Sequence, residues 1–139
     1  MRVEPYLFFD GRCEEAIDFY KKTLGAQVAM LMRFKDNPEP QGDAGCAPGN
    51  PDKIMHACLS VRGTNIMASD GNCTGKPGFQ GFALTLNAAN AAEASQRFDA
   101  LAEGGKVQMP ISETFFAKSF GMVADRFGVN WMVIAEPKK

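Results

Sequence analysis

At 139 residues, 45% hydrophobic and 22% charged, the chain has the make-up of a globular protein long enough to bury roughly two-thirds of its unfolded surface. A formal net charge of −1 and a pI near 5.8 leave no basic footprint for nucleic acid and no polybasic run for a membrane surface. Acidic residues interrupt the N-terminal run before an apolar signal core forms, and no apolar stretch approaches the ~20 residues of a spanning helix, so a cytoplasmic protein is expected.

Residues 3–9 are rich in β-formers and end at the turn signal Asp10-Gly11. From Glu14 the period changes. Ala16, Ile17, Tyr20 and Leu24 share one helical face, with Gly25 as the C-cap. Residues 27–34 read as a strand. Residues 35–53 hold four prolines and three glycines without periodicity, and a structureless stretch of that length is either mobile or a cover over a site. Residues 54–61 and 65–69 read as two strands around Arg62-Gly63-Thr64. The breaker-rich 70–78 is the natural internal boundary. Beyond it, 79–87 reads as a strand, Asn90 and Glu93 as a capping box, and Ala94, Phe98, Leu101 and Ala102 as a second helical stripe ended by Gly104-Gly105. Strands are predicted over 107–111, 115–125 and 129–135, the last two joined at Arg126-Phe127-Gly128.

The halves repeat. Glu15-Ala16 and Tyr20 match Glu93-Ala94 and Phe98 at the same spacing, and Gly25-Ala26-Gln27-Val28 matches Gly104-Gly105-Lys106-Val107 one residue of slippage later. The expected fold class is α+β, one domain over 1–139. It would be built from two βαβββ modules, about 1–75 and 78–139, with Ala16/Ala94 and Tyr20/Phe98 equivalent. Cys13, Cys46, Cys58 and Cys73 lack C-x-x-C spacing, which suits neither a metal cluster nor a disulfide framework. Cys13 stands where a helix dipole lowers a thiol pKa, but a small residue at a helix start is the simpler reading.

The run GRCEEAIDFYKKTLGAQV, with IMHACL, NIMASD and GMVADRFGVNWMV, resembles the PhnB-like branch of the vicinal-oxygen-chelate superfamily, which also holds glyoxalase I, bleomycin-resistance proteins and extradiol dioxygenases. The resemblance covers all but the proline-rich segment, and residues 125–131 are its most branch-specific block. It implies a cupped, mostly antiparallel sheet with helices on the outer face, commonly in a homodimer. It also implies a divalent metal held by His and Glu. Alignment puts the ligand positions at Pro5, Cys58, Gly81 or Phe82, and Met132, and none is His, Asp or Glu. No metal and no cofactor are therefore expected, and Glu4 alone would not rebuild the set after a one-residue slip.

His56, the one histidine of the chain, shares a strand face with Cys58 and Ser60. The expected ligand-binding set is His56, Cys58, Ser60 and Thr85 as polar points, with Leu7, Phe9, Phe116 and Met132 as apolar walls, Tyr6, Phe8 and Trp131 being assigned to the helix side. A mostly apolar concavity with a few polar groups suits a small-molecule ligand. The leading expectation is a small-molecule-binding protein in the manner of bleomycin-resistance proteins. The alternative is a metal-dependent lyase, isomerase or dioxygenase with differently held metal. A methyltransferase activity, a name given to some relatives, finds no glycine-rich nucleotide motif here.

Overall fold

The computed structural model describes residues 1–9, 11–36, 51–70 and 78–137. Most of the proline-rich segment, most of the 70–78 boundary segment, Asp10, Cys46 and Cys73 lie outside those residues. The chain forms two compact units, residues 1–77 and 78–139.

In the first unit the order is β1 (Tyr6–Phe8), α1 (Cys13–Leu24), β2 (Gln27–Arg33), a single 3-10 turn (Phe34–Asp36), β3 (Ile54–Val61) and β4 (Thr64–Ser69). The second contains β5 (Leu84–Ala88), α2 (Ala91–Ala102), β6 (Lys106–Ser112), β7 (Ala117–Ala124) and β8 (Asn130–Pro137). The sheet orders are β1-β4-β3-β2 and β5-β8-β7-β6, with β1 parallel to β4 and β5 parallel to β8 and the other pairs antiparallel. Each unit is thus a βαβββ module of the same topology. Ala16 and Ala94 stand fourth, and Tyr20 and Phe98 eighth, in helices of 12 residues each. All four are buried.

Why these segments form these elements is local. Helix α2 starts where the Asn90 Oδ1 accepts from the Glu93 N–H, and Glu93 Oε1 accepts in turn from the Ala89 N–H, each at 2.9 Å. That is a capping box displaced by one residue on its return arm. Helix α1 has no side-chain cap from Arg12. Instead Asp70, at the end of β4, accepts from the N–H groups of Gly11 and Cys13 through Oδ1 and of Ile54 through Oδ2. A carboxylate delivered from another strand so satisfies two donors at a helix start and sits at the positive end of its dipole. Gly25 closes α1 with φ 67, a left-handed conformation that glycine adopts without strain.

Each helix covers one face of its own sheet. In the first unit Leu7, Ala57, Leu59, Ile66 and Ala68 are buried there with Ile17 and Tyr20. In the second, Val123, Trp131, Val133 and Ala135 are buried with Ala94, Phe98 and Leu101. The cores are thus the helix–sheet layers, and most residues on the opposite sheet faces are half-buried or exposed. Two bulges tune this alternation. Val28 pairs with Leu59 and Met30 with Cys58, so Ala29 is extra on β2. Met32 pairs with His56 and Arg33 with Ile54, so Met55 is extra on β3. The second bulge turns Ile54 towards the helix although it lies two residues from His56. Among the described residues no helix is long and apolar enough to cross a membrane.

One expectation about β1 is overturned. Leu7 and Phe9 do not line the face away from the helix. Both are 2% exposed, Leu7 pairs with the buried Ala68, and the Phe9 ring lies 6.3 Å from that of Tyr20. Tyr6 and Phe8, assigned to the helix side, occupy the other face instead. The physical reason is the parallel register with β4, which aligns Tyr6 with Met67 and Phe8 with Ser69.

Candidate functional site

The helix-free face of the first unit is ordered in cross-strand rows. Tyr6, Met67, Cys58 and Met30 are successive partners on β1, β4, β3 and β2. Directly opposed residues share a face, with Cβ atoms about 4.5–5.5 Å apart. Phe8 stands beside Ser69, and His56 beside Met32. Ser60 lies between Gln27 and Asn65. Three predicted residues, His56, Cys58 and Ser60, therefore share this face, as strand alternation requires.

Tyr6, expected on the helix side with Phe8, adds a polar group to this face. Its hydroxyl is hydrogen-bonded to His56 Nδ1 at 2.8 Å, and its ring stacks on Phe8 with centroids 4.9 Å apart. Burial raises the phenol above its usual pKa, opposed by a contact with the Ser69 hydroxyl. Tyr6 thus stays a neutral donor or acceptor across the physiological range. Ser69 Oγ donates to the Met55 carbonyl at 2.7 Å, so this buried hydroxyl is satisfied at the bulge. The pair Tyr6–His56 gives the face a polar point between exposed aromatic and thioether surface: Tyr6, Phe8 and Met30 are 37%, 38% and 41% exposed.

In the second unit Thr85, Met132, Met122 and Met109 form the equivalent row. Thr85 and Met132 lie together as predicted, and Trp131 turns to the buried side. Phe116, rather than Phe115, joins this face: its ring packs edge-on against Phe120 at 5.0 Å, whereas Phe115 is 91% exposed. Phe120, Met122 and Ile134 were missed by sequence reasoning, and alternation from Met132 would have found the last of them. Each unit carries its own part of the predicted set.

The block 125–131 has a structural role. Asp125 is 3% exposed. Its Oδ1 accepts from the Phe127 and Val129 N–H groups, and its Oδ2 from Trp131 Nε1–H at 2.9 Å. One carboxylate thereby closes the β7–β8 turn and orients the tryptophan. Cys13 is buried with its thiol pKa pushed far up by burial, then by the charges of Asp70 and Glu14. The helix start does not activate it, because desolvation outweighs the dipole.

The residues present do not fit the divalent site implied by the superfamily. Pro5 precedes β1 and offers its carbonyl to the Met67 N–H. Gly81 and Phe82 precede β5, and Cys58 and Met132 sit centrally in their rows. Among the described residues no three His, Cys, Asp or Glu side chains gather. A hard or borderline cation needs oxygen or imidazole donors in that number.

Residues 1–134 match the family model described as 3-demethylubiquinone-9 3-methyltransferase. The chain is 41% identical over 138 residues to protein YjdN of Escherichia coli K12, covering 96% of this chain and 94% of YjdN. Among solved structures, protein PA1353 from Pseudomonas aeruginosa shares 47% identity over 98% of both chains, with a TM-score of 0.83. At fold level the chain resembles a Bacillus cereus PhnB protein described as a putative 3-demethylubiquinone-9 3-methyltransferase, with 24% identity over 97% of this chain and 99% of that one (TM-score 0.80). It also resembles a glyoxylase/bleomycin resistance protein/dioxygenase domain from Frankia, with 13% identity over 98% and 92% (TM-score 0.68). These matches place the chain in the 3-demethylubiquinone-9 3-methyltransferase family, and its paired βαβββ modules share the fold of the PhnB and glyoxylase/bleomycin resistance/dioxygenase structures.

Proposed function

We propose that this protein binds a small, partly apolar molecule on the helix-free face of its first unit and sequesters it without metal chemistry. The observation that carries the reading is the exposed Tyr6–Phe8 stack whose hydroxyl is tethered to His56. An exposed aromatic pair with one fixed polar group offers a flat ligand a stacking surface and a single directional hydrogen bond. Met30, Met32 and Met67 around it supply polarizable surface that adapts to irregular shapes. Thr85, Phe116 and Met132 are proposed as further ligand contacts in the second unit. The protein is taken to act in the cytoplasm, in keeping with the free thiols Cys13 and Cys58, and as a homodimer.

The family's descriptive name asks for a methyl donor, and the sequence carries no glycine-rich strand–turn–helix nucleotide motif to support one. The competing reading is a metal-dependent lyase, isomerase or dioxygenase. It would draw on His56, whose Nδ1 is engaged by Tyr6.

Native mass spectrometry of protein purified without chelator, followed by extraction, tests both readings. A bound organic molecule that is lost in Phe8→Ala and weakened in Tyr6→Phe is the expected result, with zinc, nickel and iron well below stoichiometric. Stoichiometric metal that disappears in His56→Ala would put the enzyme reading first.

A further inference from the structure

We infer that the first unit holds a site for a soft monovalent cation, Cu(I), with the Cys58 thiolate between the thioethers of Met30 and Met67 and the His56 imidazole as fourth donor. The inference does not rest on the small-molecule reading, although both use one face, so its test employs the metal ion alone.

The three sulfurs are brought together by strand register. Cys58 on β3 is directly opposed by Met30 on β2 and by Met67 on β4, so all three project from the same face in a single row. Their Cβ atoms follow at about 4.5–5.5 Å intervals. Methionine reaches across such gaps because its unbranched side chain has three rotatable bonds. Cys58 is a free thiol of intermediate burial, and Met30 is among the exposed large hydrophobic residues. The sulfur row is thus accessible without unfolding.

Donor chemistry selects the ion. Thiolate and thioether ligands favour Cu(I), whereas zinc sites use thiolate, imidazole or carboxylate donors, and thioethers add little for zinc. Cu(I) displaces the thiol proton, which passes to solvent, so the bound unit of Cu(I) and one thiolate is neutral. That neutrality suits a face otherwise made of aromatic and thioether groups. His56 lies two residues along β3, with its Cα about 7 Å from that of Cys58. That spacing lets both side chains reach one ion placed between them. When Nδ1–H donates to the Tyr6 hydroxyl, 2.8 Å away, the Nε2 lone pair is left for the metal, the outer-shell arrangement common to ligating histidines.

The second unit supplies an internal control. Its equivalent row is Met109, Met122 and Met132, in which a methionine replaces the central cysteine. Thioethers alone bind without charge neutralisation, so the tight site belongs to the first unit.

The experiment is an anaerobic Cu(I) titration in competition with bicinchoninate, on protein carrying Cys46→Ser and Cys73→Ser so that two other thiols do not contribute. The expected result is stoichiometric Cu(I) withheld from the chelator. Retention should fall about tenfold or more in Cys58→Ser and by a smaller factor in Met30→Leu and Met67→Leu, with unchanged circular dichroism throughout. Methyl-13C methionine spectra with Ag(I) as an air-stable substitute should shift the Met30 and Met67 resonances and leave Met109, Met122 and Met132 in place. Cu(I) surrendered to the chelator, or retained equally by Cys58→Ser, overturns the inference. So do leucine variants that hold the ion as well as the parent, since the thiol alone would then be the trap.

Discussion

Asp125 and Asp70 are the two residues on which the local architecture turns, and each is buried with three N–H donors around it. Asparagine in place of Asp125 would aim an amide NH2 either at the indole N–H or at two backbone N–H groups. One donor is then left facing another, a loss of about 1–3 kcal/mol. Asp125→Asn should therefore lower the urea midpoint with little change in slope. It should also alter the fluorescence of the single tryptophan, while leaving the proposed ligand binding by the first unit intact at low temperature. A midpoint equal to wild type would show that the 125–131 block is kept for something other than turn closure. Cys13 makes a second residue-scale prediction. Its folded thiol pKa is raised, by burial first, so the native state keeps a proton that the unfolded chain gives up. Its contribution to stability is complete below the unfolded thiol's pKa of about 8.5 and is lost as pH rises beyond it. Iodoacetamide at mildly alkaline pH should label Cys58 in the native protein and spare Cys13, whereas equal labelling would contradict the burial.

At the scale of elements, Gly121 on β7 brings the sheet close beneath α2. A Cβ there would lie 2.8 Å from the Phe98 ring and 3.1 Å from Ile111 Cγ1. Gly121→Ala is expected to destabilise by about 1–3 kcal/mol, the usual result of overpacking a filled core. Adding Phe98→Leu to Gly121→Ala should recover part of that loss, a coupling readable in a double-mutant cycle. Strict additivity would place the strain elsewhere. The first module solves the same problem differently, with Ala57 and Leu59 beneath α1. The repeat is thus one of topology and helix position rather than of packing detail.

For the whole molecule, strands β1, β2, β5 and β6 end their sheets, and exposed Val28 and Val107 lie on β2 and β6. Sheet edges and apolar edge residues are normally paired or covered, which supports the proposed homodimer. Sedimentation equilibrium at micromolar concentration should give twice the chain mass of 15.1 kDa. Lysine at Val28 and Val107 should shift the equilibrium to monomer. A monomer in the unaltered protein would remove the dimer from the functional reading.

Much of this was legible from residues alone. Period and punctuation marked both helices, because Ala16/Tyr20 and Ala94/Phe98 recur at 3.6-residue spacing between Gly25, Asn90 and Gly104. The face of β3 was legible too, since His56, Cys58 and Ser60 alternate with Ala57, Leu59 and Val61. The face of β1 was not. Tyr6-Leu7-Phe8-Phe9 is apolar at every position, so no polar partner marks which side is wet, and a slip of one residue exchanges the two faces. Only the parallel register with β4 and the packing of Phe9 on Tyr20 decide it. The bulge at Met55 was equally invisible, because Ile54 is buried by its pairing rather than by its place in an alternation. Local pattern determined which elements exist. Long-range pairing determined which side chains meet, because a strand takes its orientation from the neighbour to which it is hydrogen-bonded.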